Sequence, residues 1–271
     1  MTHSLGRRAI LAVYALLVII PLLVVITGTF KTTPELFASP FGLPSSVSAK
    51  NYSAALGQGA LGQAFVNSAI VTVSAVVITL FIGSLAAFGV ARIPGWRGWA
   101  VYGFLVLGMA VPAQANIIPQ YVLFQRLGLL DSRLGLIIIE IVAALPVAVF
   151  IMAGFLRTLP RELFEAASID GANPWRTYFM IVLPLSRPSI AATAIFLFVI
   201  QWNDLLYPLF FIHDPSKKTL PLTLLDFQGE FLTNYPLLFS GVVVASAPLV
   251  VAYVFLQRHF VAGMTAGSLK G

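Results

Sequence analysis

Leu134-Gly-Leu-Ile-Ile-Ile-Glu-Ile-Val-Ala-Ala-Leu-Pro-Val-Ala-Val-Phe-Ile-Met-Ala-Gly-Phe-Leu156 carries one ionisable side chain, Glu140, in a run of otherwise apolar or small residues. An α-helix of about 20 residues rises roughly 30 Å, the thickness of a bilayer's hydrocarbon layer. Five further stretches of this kind lie at 9–28, 66–90, 99–118, 189–211 and 237–256. The whole chain of 271 residues is 59% hydrophobic and 10% charged, more apolar surface than a soluble domain of this size can bury. The expected fold is therefore all-α and polytopic, with about six transmembrane helices in a single domain over 1–271. Arg7 and Arg8 precede the first stretch as they would in a cleavable signal. The run is long, however, and is followed by Thr29, Phe30 and Lys31 rather than a small-x-small cleavage site, so a retained helix is expected.

The chain has no cysteine, which excludes a disulfide framework and thiolate metal ligation. Its net charge of +6 is spread over short connecting segments rather than along one face, a pattern of membrane orientation and not of nucleic-acid binding. A cytoplasmic N-terminus places 10 basic residues inside (Arg7, Arg8, Arg92, Arg97, Arg157, Arg161, Arg176, Arg187, Arg258, Lys270) and leaves Lys31, Lys50, Arg126, Arg133, Lys217 and Lys218, 6 in all, outside. Both termini are expected in the cytoplasm. The expected loops are an inner one at 157–187, outer ones at about 31–63 and 213–236, and an inner tail at 257–271. The two outer loops are long enough either to meet a soluble partner or to fold over the helix ends.

The inner loop reads as two short helices. Pro160 suits a first helical turn, Glu162 and Glu165 lie where the helix dipole favours acids, and Gly171 can take the left-handed conformation that ends a helix. Asn173 is placed to cap a second helix starting at Pro174. Leu163, Phe164 and Ala167 share one face of the first helix, with the acids elsewhere. Trp175, Tyr178, Phe179, Ile181 and Val182 make the second apolar enough to lie against the membrane domain before Pro184 turns the chain. On physics alone this is either a docking element or an amphipathic hairpin lying on the membrane surface.

Glu165-Ala166-Ala167, followed by Asp170-Gly171 and then Ile181, Leu183 and Pro184, resembles the EAA motif of the permease subunits of binding-protein-dependent ABC importers. Asn67-Ser68, Trp202-Asn203-Asp204 and the tail from Gln257 to Gly271 are similar to the carbohydrate branch, in particular to its MalG type. Glu140 departs from that pattern, which leads one to expect a neutral residue there. The resemblance implies a type I ABC importer permease in a bacterial or archaeal plasma membrane. It implies that Glu165, Ala166, Ala167, Asp170 and Gly171 couple to an ATPase, with Asn173, Pro174, Leu183 and Pro184 in support, and that Thr265, Gly267 and Lys270 in the tail reach the same partner. The implied partners are a second permease in a heterodimer, two ATP-binding subunits, an extracytoplasmic sugar-binding protein and membrane lipid, with no nucleic acid. No Gly-x-x-x-x-Gly-Lys-Ser/Thr run occurs, so ATP and magnesium belong to the partner ATPase and no cofactor is expected on this chain.

Polar groups inside spans are costly, and each marks a pathway or a packing contact. Gln201, Trp202, Asn203 and Asp204 in the fifth stretch offer amides, a carboxylate and an aromatic ring, the groups that hold sugars. Pro208 is expected to break the helix just beyond them. The same residues serve equally well to pack or cap a broken helix. Gln114, Asn116, Gln120, Asn67, Ser68 and Glu140 are further pathway candidates, with water or Arg133 as the expected partner of Glu140. No catalytic set is legible, because His3, His213 and His259 all fall outside the spans and no zinc-binding spacing occurs. The rival is an ion-coupled secondary carrier acting as one chain, with Asp204 and Glu140 as relay groups.

Overall fold

The computed structural model describes residues 2–57, 60–227 and 233–268, with side chains for 6–57, 60–227 and 233–255. No strand occurs among the described residues. In chain order the helices are α1 (Thr2–Gly28), α2 (Thr33–Ala38), α3 (Lys50–Gly57), α4 (Ala60–Arg92), α5 (Gly95–Val106), α6 (Ala113–Arg126), α7 (Arg133–Leu156), α8 (Glu162–Ile169), α9 (Pro174–Thr177), α10 (Leu183–Leu185), α11 (Arg187–Trp202), α12 (Leu206–Phe211), α13 (Leu220–Leu225) and α14 (Tyr235–Ser268). A 3₁₀ segment, Leu107–Ala110, links α5 towards α6, a π segment, Tyr178–Val182, joins α9 to α10, and a short 3₁₀ turn spans Pro215–Lys217.

Four helices, α1, α4, α7 and α14, are long and apolar enough to cross a membrane, and two bent pairs bring the number to six. The expected outlines of the third and fifth stretches are corrected. The third is not one helix over 99–118: its two halves meet at 93°. Val111 is extended, as a residue before proline prefers, and Pro112 cannot donate to a continuing helix. The fifth ends at Trp202 instead of running to Phe211. Its lower end bends by 73° at Ser186, two residues beyond the expected turn at Pro184. Pro184 lies inside α10, directly after the π segment.

The chain folds into two compact units: Met1–Phe65 with Leu220–Pro248, and Val66–Thr219 with Leu249–Gly271. In the first, the expected outer loop at 31–63 is largely built structure. Thr32 and Glu35 form a reciprocal capping box at the start of α2. Lys31 is fully buried, its Nζ donating to the carbonyls of Ser39 at 2.8 Å and Pro40 at 3.3 Å. Asn51 Nδ2 donates to the carbonyls of Thr29 at 2.7 Å and Lys31 at 3.0 Å. The Asn51 bonds satisfy carbonyls left free just past α1, and the Lys31 bonds those past α2.

In the second unit α7 is the centre, touching α5, the 3₁₀ segment, α11 and α12. A Cβ on Gly83 of α4 would lie 2.9 Å from the Ala148 Cβ, so only the glycine permits this approach of α4 to α7. Val76, Ala144, Ala148 and Leu197 form one buried cluster, and Ala87, Phe88, Met152, Ala153, Leu156, Tyr178 and Val182 another. Asn67, completely buried, donates from Nδ2 to the carbonyls of Ser216 and Lys218, each at 2.9 Å.

Asp131, to which the sequence alone assigns no role, clasps the loop after α12. It is the one non-glycine with positive φ (54°) among the described residues. Its amide donates to the Phe211 carbonyl at 2.7 Å, and its Oδ1 accepts from the amides of His213 at 3.1 Å and Asp214 at 2.9 Å. Lys217 Nζ stands 3.6 Å from Asp131 and 3.3 Å from Asp214. These donors hold both carboxyls below their ordinary 3.8, Asp131 chiefly through the Asp214 amide and Asp214 chiefly through Ser216. A carboxylate stabilised in the folded state contributes above its unfolded pKa, and its contribution is lost as pH falls through the lower folded value. Asp131→Ala is therefore expected to lower the thermal unfolding midpoint at pH 7, with the gap to the unmodified protein closing as pH is taken below 3.8.

Candidate functional site

After Leu156 the chain leaves the core of α7 and forms α8, with Glu162 and Glu165 in its first turn. Phe164 packs on the second cluster, its ring 6.4 Å from that of Phe88, and Ala167 is buried. Leu163, expected on the same face, is 37% exposed instead. A four-residue step from 163 to 167 leaves Leu163 at the rim once Phe164 has taken the contact. Glu165, Ala166 and Asp170 are exposed. The helix closes in a Schellman motif, with the Ala172 amide donating to the Ala167 carbonyl at 2.9 Å and the Gly171 amide to that of Ser168 at 3.1 Å. Gly171 has φ +72°, and a Cβ added there would meet nothing within 4 Å, so its requirement is conformational and not one of space.

Asn173 Oδ1 accepts from the Arg176 amide at 2.8 Å and Pro174 opens α9. Pro184 has no N–H to give the Met180 carbonyl, and the ladder slips by one residue, the Leu183 amide bonding Tyr178 in the π register. The slip presents Tyr178, 1% exposed, to α4, where its Oη lies 2.6 Å from Ser84 Oγ. The expected apolar contact of this segment is thus made by Tyr178 and Val182. Trp175, Phe179 and Met180 face outward at 50–63% exposure, with Trp175 and Phe179 stacked on each other.

The second site lies between α7, α11 and α12, around a cavity of about 270 Å³ lined by Gln114, Glu140, Leu197, Gln201, Asp204 and Tyr207, among others. Asp204 stands past the end of α11 and its two oxygens accept from the amides of Leu206 at 3.2 Å and Tyr207 at 3.1 Å. This cap places the break at 203–205; Pro208, expected to make it, sits inside α12. Glu140 is 5% exposed, and its side chain meets Asp204 rather than Arg133: the two carboxyls are hydrogen-bonded to each other. An ionised carboxylate only accepts, so this contact holds a proton between the two groups. Gln201 Nε2 donates to the Glu140 carbonyl at 3.3 Å, and its Oε1 is buried without a partner, as is Oε1 of Gln120, whose side chain also bonds the Tyr207 hydroxyl.

The side chains of the four residues at 201–204 do not converge on one place. Trp202 is buried and stacked on Phe198, ring centroids 5.4 Å apart, and Asn203 is exposed and bonds back to the Val199 carbonyl at 2.7 Å. Both lie outside the cavity lining, as does the half-buried Asn116. Asn67 clamps the loop after α12, and Ser68 is buried beside it. Backbone helix runs to Ser268, but the side chains of Thr265 and Gly267, and all of Lys270, lie outside the described residues.

This architecture, a broken-helix membrane core with a short exposed helix carried beneath it, is that of a transporter's membrane subunit. Residues 79–266 match the family described as binding-protein-dependent transport system inner membrane component, and the chain belongs to it. It is 35% identical over 267 residues to the diacetylchitobiose uptake system permease protein NgcG of Streptomyces coelicolor, covering 97% of this chain and 88% of that one. Against the multiple sugar-binding transport system permease protein MsmG of Streptococcus mutans the identity is 34%, over 97% and 96% of the two chains. Against the melibiose/raffinose/stachyose import permease protein MelC of Bacillus subtilis it is 33%, over 93% and 91%. The fold matches a crystal structure of a bacterial ABC transporter involved in import of the acidic polysaccharide alginate, with a TM-score of 0.83 over 96% of each chain at 21% identity.

Tyr178→Phe, which leaves Ser84 its bond to Phe81, is expected to cost about 1 kcal/mol in thermal unfolding of the purified chain, and Tyr178→Ala about 3–5 kcal/mol. Glu140→Gln keeps a donor for Asp204 and is expected to fold with near-normal stability. Glu140→Ala removes it and is expected to lose about 1–3 kcal/mol by the same measurement.

Proposed function

We propose that this chain is one of two membrane-spanning subunits of an ATP-driven sugar importer, forming half of the translocation pathway and taking its energy from a separate ATPase. The observation that carries the reading is α8: a short helix, acidic in its first turn and closed by a left-handed glycine, anchored to the core on one face and exposed on the other. Glu165, Ala166, Asp170 and Gly171 form the exposed surface that enters an ATP-binding subunit, whereas Ala167, expected to join them, is buried on the face that anchors α8 to the core. Asn173, Pro174, Leu183 and Pro184 shape the segment that ties α8 to α4 through Tyr178. Closure of two ATP- and magnesium-loaded subunits moves α8, and the Tyr178–Ser84 contact passes that motion to the spans. The carbohydrate permeases among the relatives support a sugar as cargo, delivered by an extracytoplasmic binding protein to a cavity completed by the second permease chain. Gln114, Glu140, Gln201 and Asp204 supply this chain's share of its polar wall, with Gln120 behind Tyr207. The chain itself performs no catalysis, and it lies in a bacterial or archaeal plasma membrane with both termini and the ATPase-contacting tail (Thr265, Gly267, Lys270) in the cytoplasm. An ion-coupled carrier acting as a single chain is not favoured, since it has no use for an exposed α8.

The test is ATP-dependent sugar uptake by the complete importer in proteoliposomes. Gly171→Val, with room for its side chain but a backbone penalty of about 1–2 kcal/mol, is expected to abolish uptake and release the ATPase subunit. Gly171→Asn, which tolerates positive φ, is expected to retain both. Normal uptake by Gly171→Val, or transport by the chain alone on an ion gradient, overturns the reading.

A further inference from the structure

A cavity of about 420 Å³ opens where α4 ends, α5 begins and α7 passes into α8. Its floor is apolar: Val90, Leu156, Leu159 and Phe164. Its rim is cationic, formed by Arg92, Arg157 and Arg161 against a single acid, Glu165. Among the described residues no salt bridge engages any of the three arginines. Arg157 is held in place by rings instead, its Cζ 3.8 Å from the Trp99 ring centroid and 4.2 Å from that of Tyr102. Arg92 lies over Phe88 at 5.4 Å. Stacking of this kind fixes a guanidinium by its faces and leaves the N–H edges free to donate. The cavity also faces the first turn of the twelve-residue α5 through Pro94, Gly95, Gly98 and Trp99, and that helix has no side-chain cap, so its positive end adds to the arginine field.

The depth of the cavity says which anion it suits. Arg92 is the last residue of one span and Arg157 follows the last residue of another, so the rim stands where hydrocarbon gives way to head groups. Trp96 and Trp99, 76% and 63% exposed beside it, are the aromatic residues that settle at that level. An apolar floor below a cationic rim matches a molecule with an acyl chain and a phosphate, not a soluble ion. We infer that this pocket binds the phosphodiester head group of an anionic phospholipid, clamped by Arg92 and Arg157 next to the helix that meets the ATPase. The leaflet follows from the importer reading above; the binding itself does not depend on it.

The experiment uses the full chain purified in detergent and exposed to phosphatidylglycerol or phosphatidylcholine of matched acyl chains, with bound lipid counted by native mass spectrometry. Phosphatidylglycerol is expected to be retained over phosphatidylcholine, and Arg92→Gln with Arg157→Gln to lower that retention by about fivefold for each arginine removed. Arg157→Lys, which keeps the charge and loses the planar stack, is expected to fall between. Unchanged phosphatidylcholine binding and circular dichroism show that the variants are folded. Equal retention of the two lipids by the unmodified chain, or an undiminished preference in the double variant, overturns the inference. So does displacement of the lipid by inorganic phosphate, which assigns the pocket to a soluble ion, or by added ATPase subunit, which assigns it to that protein.

Discussion

Inside a bilayer no water is at hand to satisfy a broken backbone, so a helix can stop only where a side chain or a neighbouring element takes over its free N–H and C=O groups. The second unit is organised around such stops. The carboxylate of Asp204 takes the amides of Leu206 and Tyr207 where α11 has ended. The same carboxyl meets Glu140 on α7, so a single group terminates one helix, starts another and ties both to the central span. The cavity exists because three helices converge on that contact without filling the space beside it.

The other stops serve the membrane's edge in the same way. Pro184 forces a slip into π register, and the slip carries Tyr178 round to Ser84. A regular helix at that point would point the ring elsewhere, and α8 would hang from the core by Phe164 and Ala167 alone. Pro184 is thus a positioning device: by withholding one N–H it sets the rotation of the segment before it. Asp131 does related work on the opposite side, collecting the amides of a loop that has no helix or sheet to receive them.

The helix α8 was largely legible in the sequence, since its signals are local. The two early acids, Gly171, Asn173 and Pro174 each act within a turn or two of their own position, and backbone chemistry at that range is written in the order of residues; Pro160, expected in the first turn, instead precedes the Arg161 N-cap. The membrane site was legible only as an inventory. Gln201, Trp202, Asn203 and Asp204 look like one polar cluster along the chain, yet they point four ways. One donates to α7, one stacks on Phe198, one bonds its own helix and one caps the next. The role of Asp131 is not written locally, because its partners lie 82 and 83 positions further along the chain.

Composition and apolar run length by themselves determined that the chain lives in a bilayer and crosses it about six times, and local capping signals that short helices lie between the fourth and fifth crossings. Those properties depend on transfer of side chains out of water and on capping within a turn, both of which are additive along a sequence. Where the helices break, which acid faces which, and which arginines share a pocket were decided only by tertiary structure. Each is a contact between residues far apart in the chain, and a buried polar group takes whichever partner the packing brings within about 3 Å. Glu140 shows the difference: its position in an apolar span was plain from the sequence, while its partner, Asp204, lay 64 residues away across a helix-helix interface.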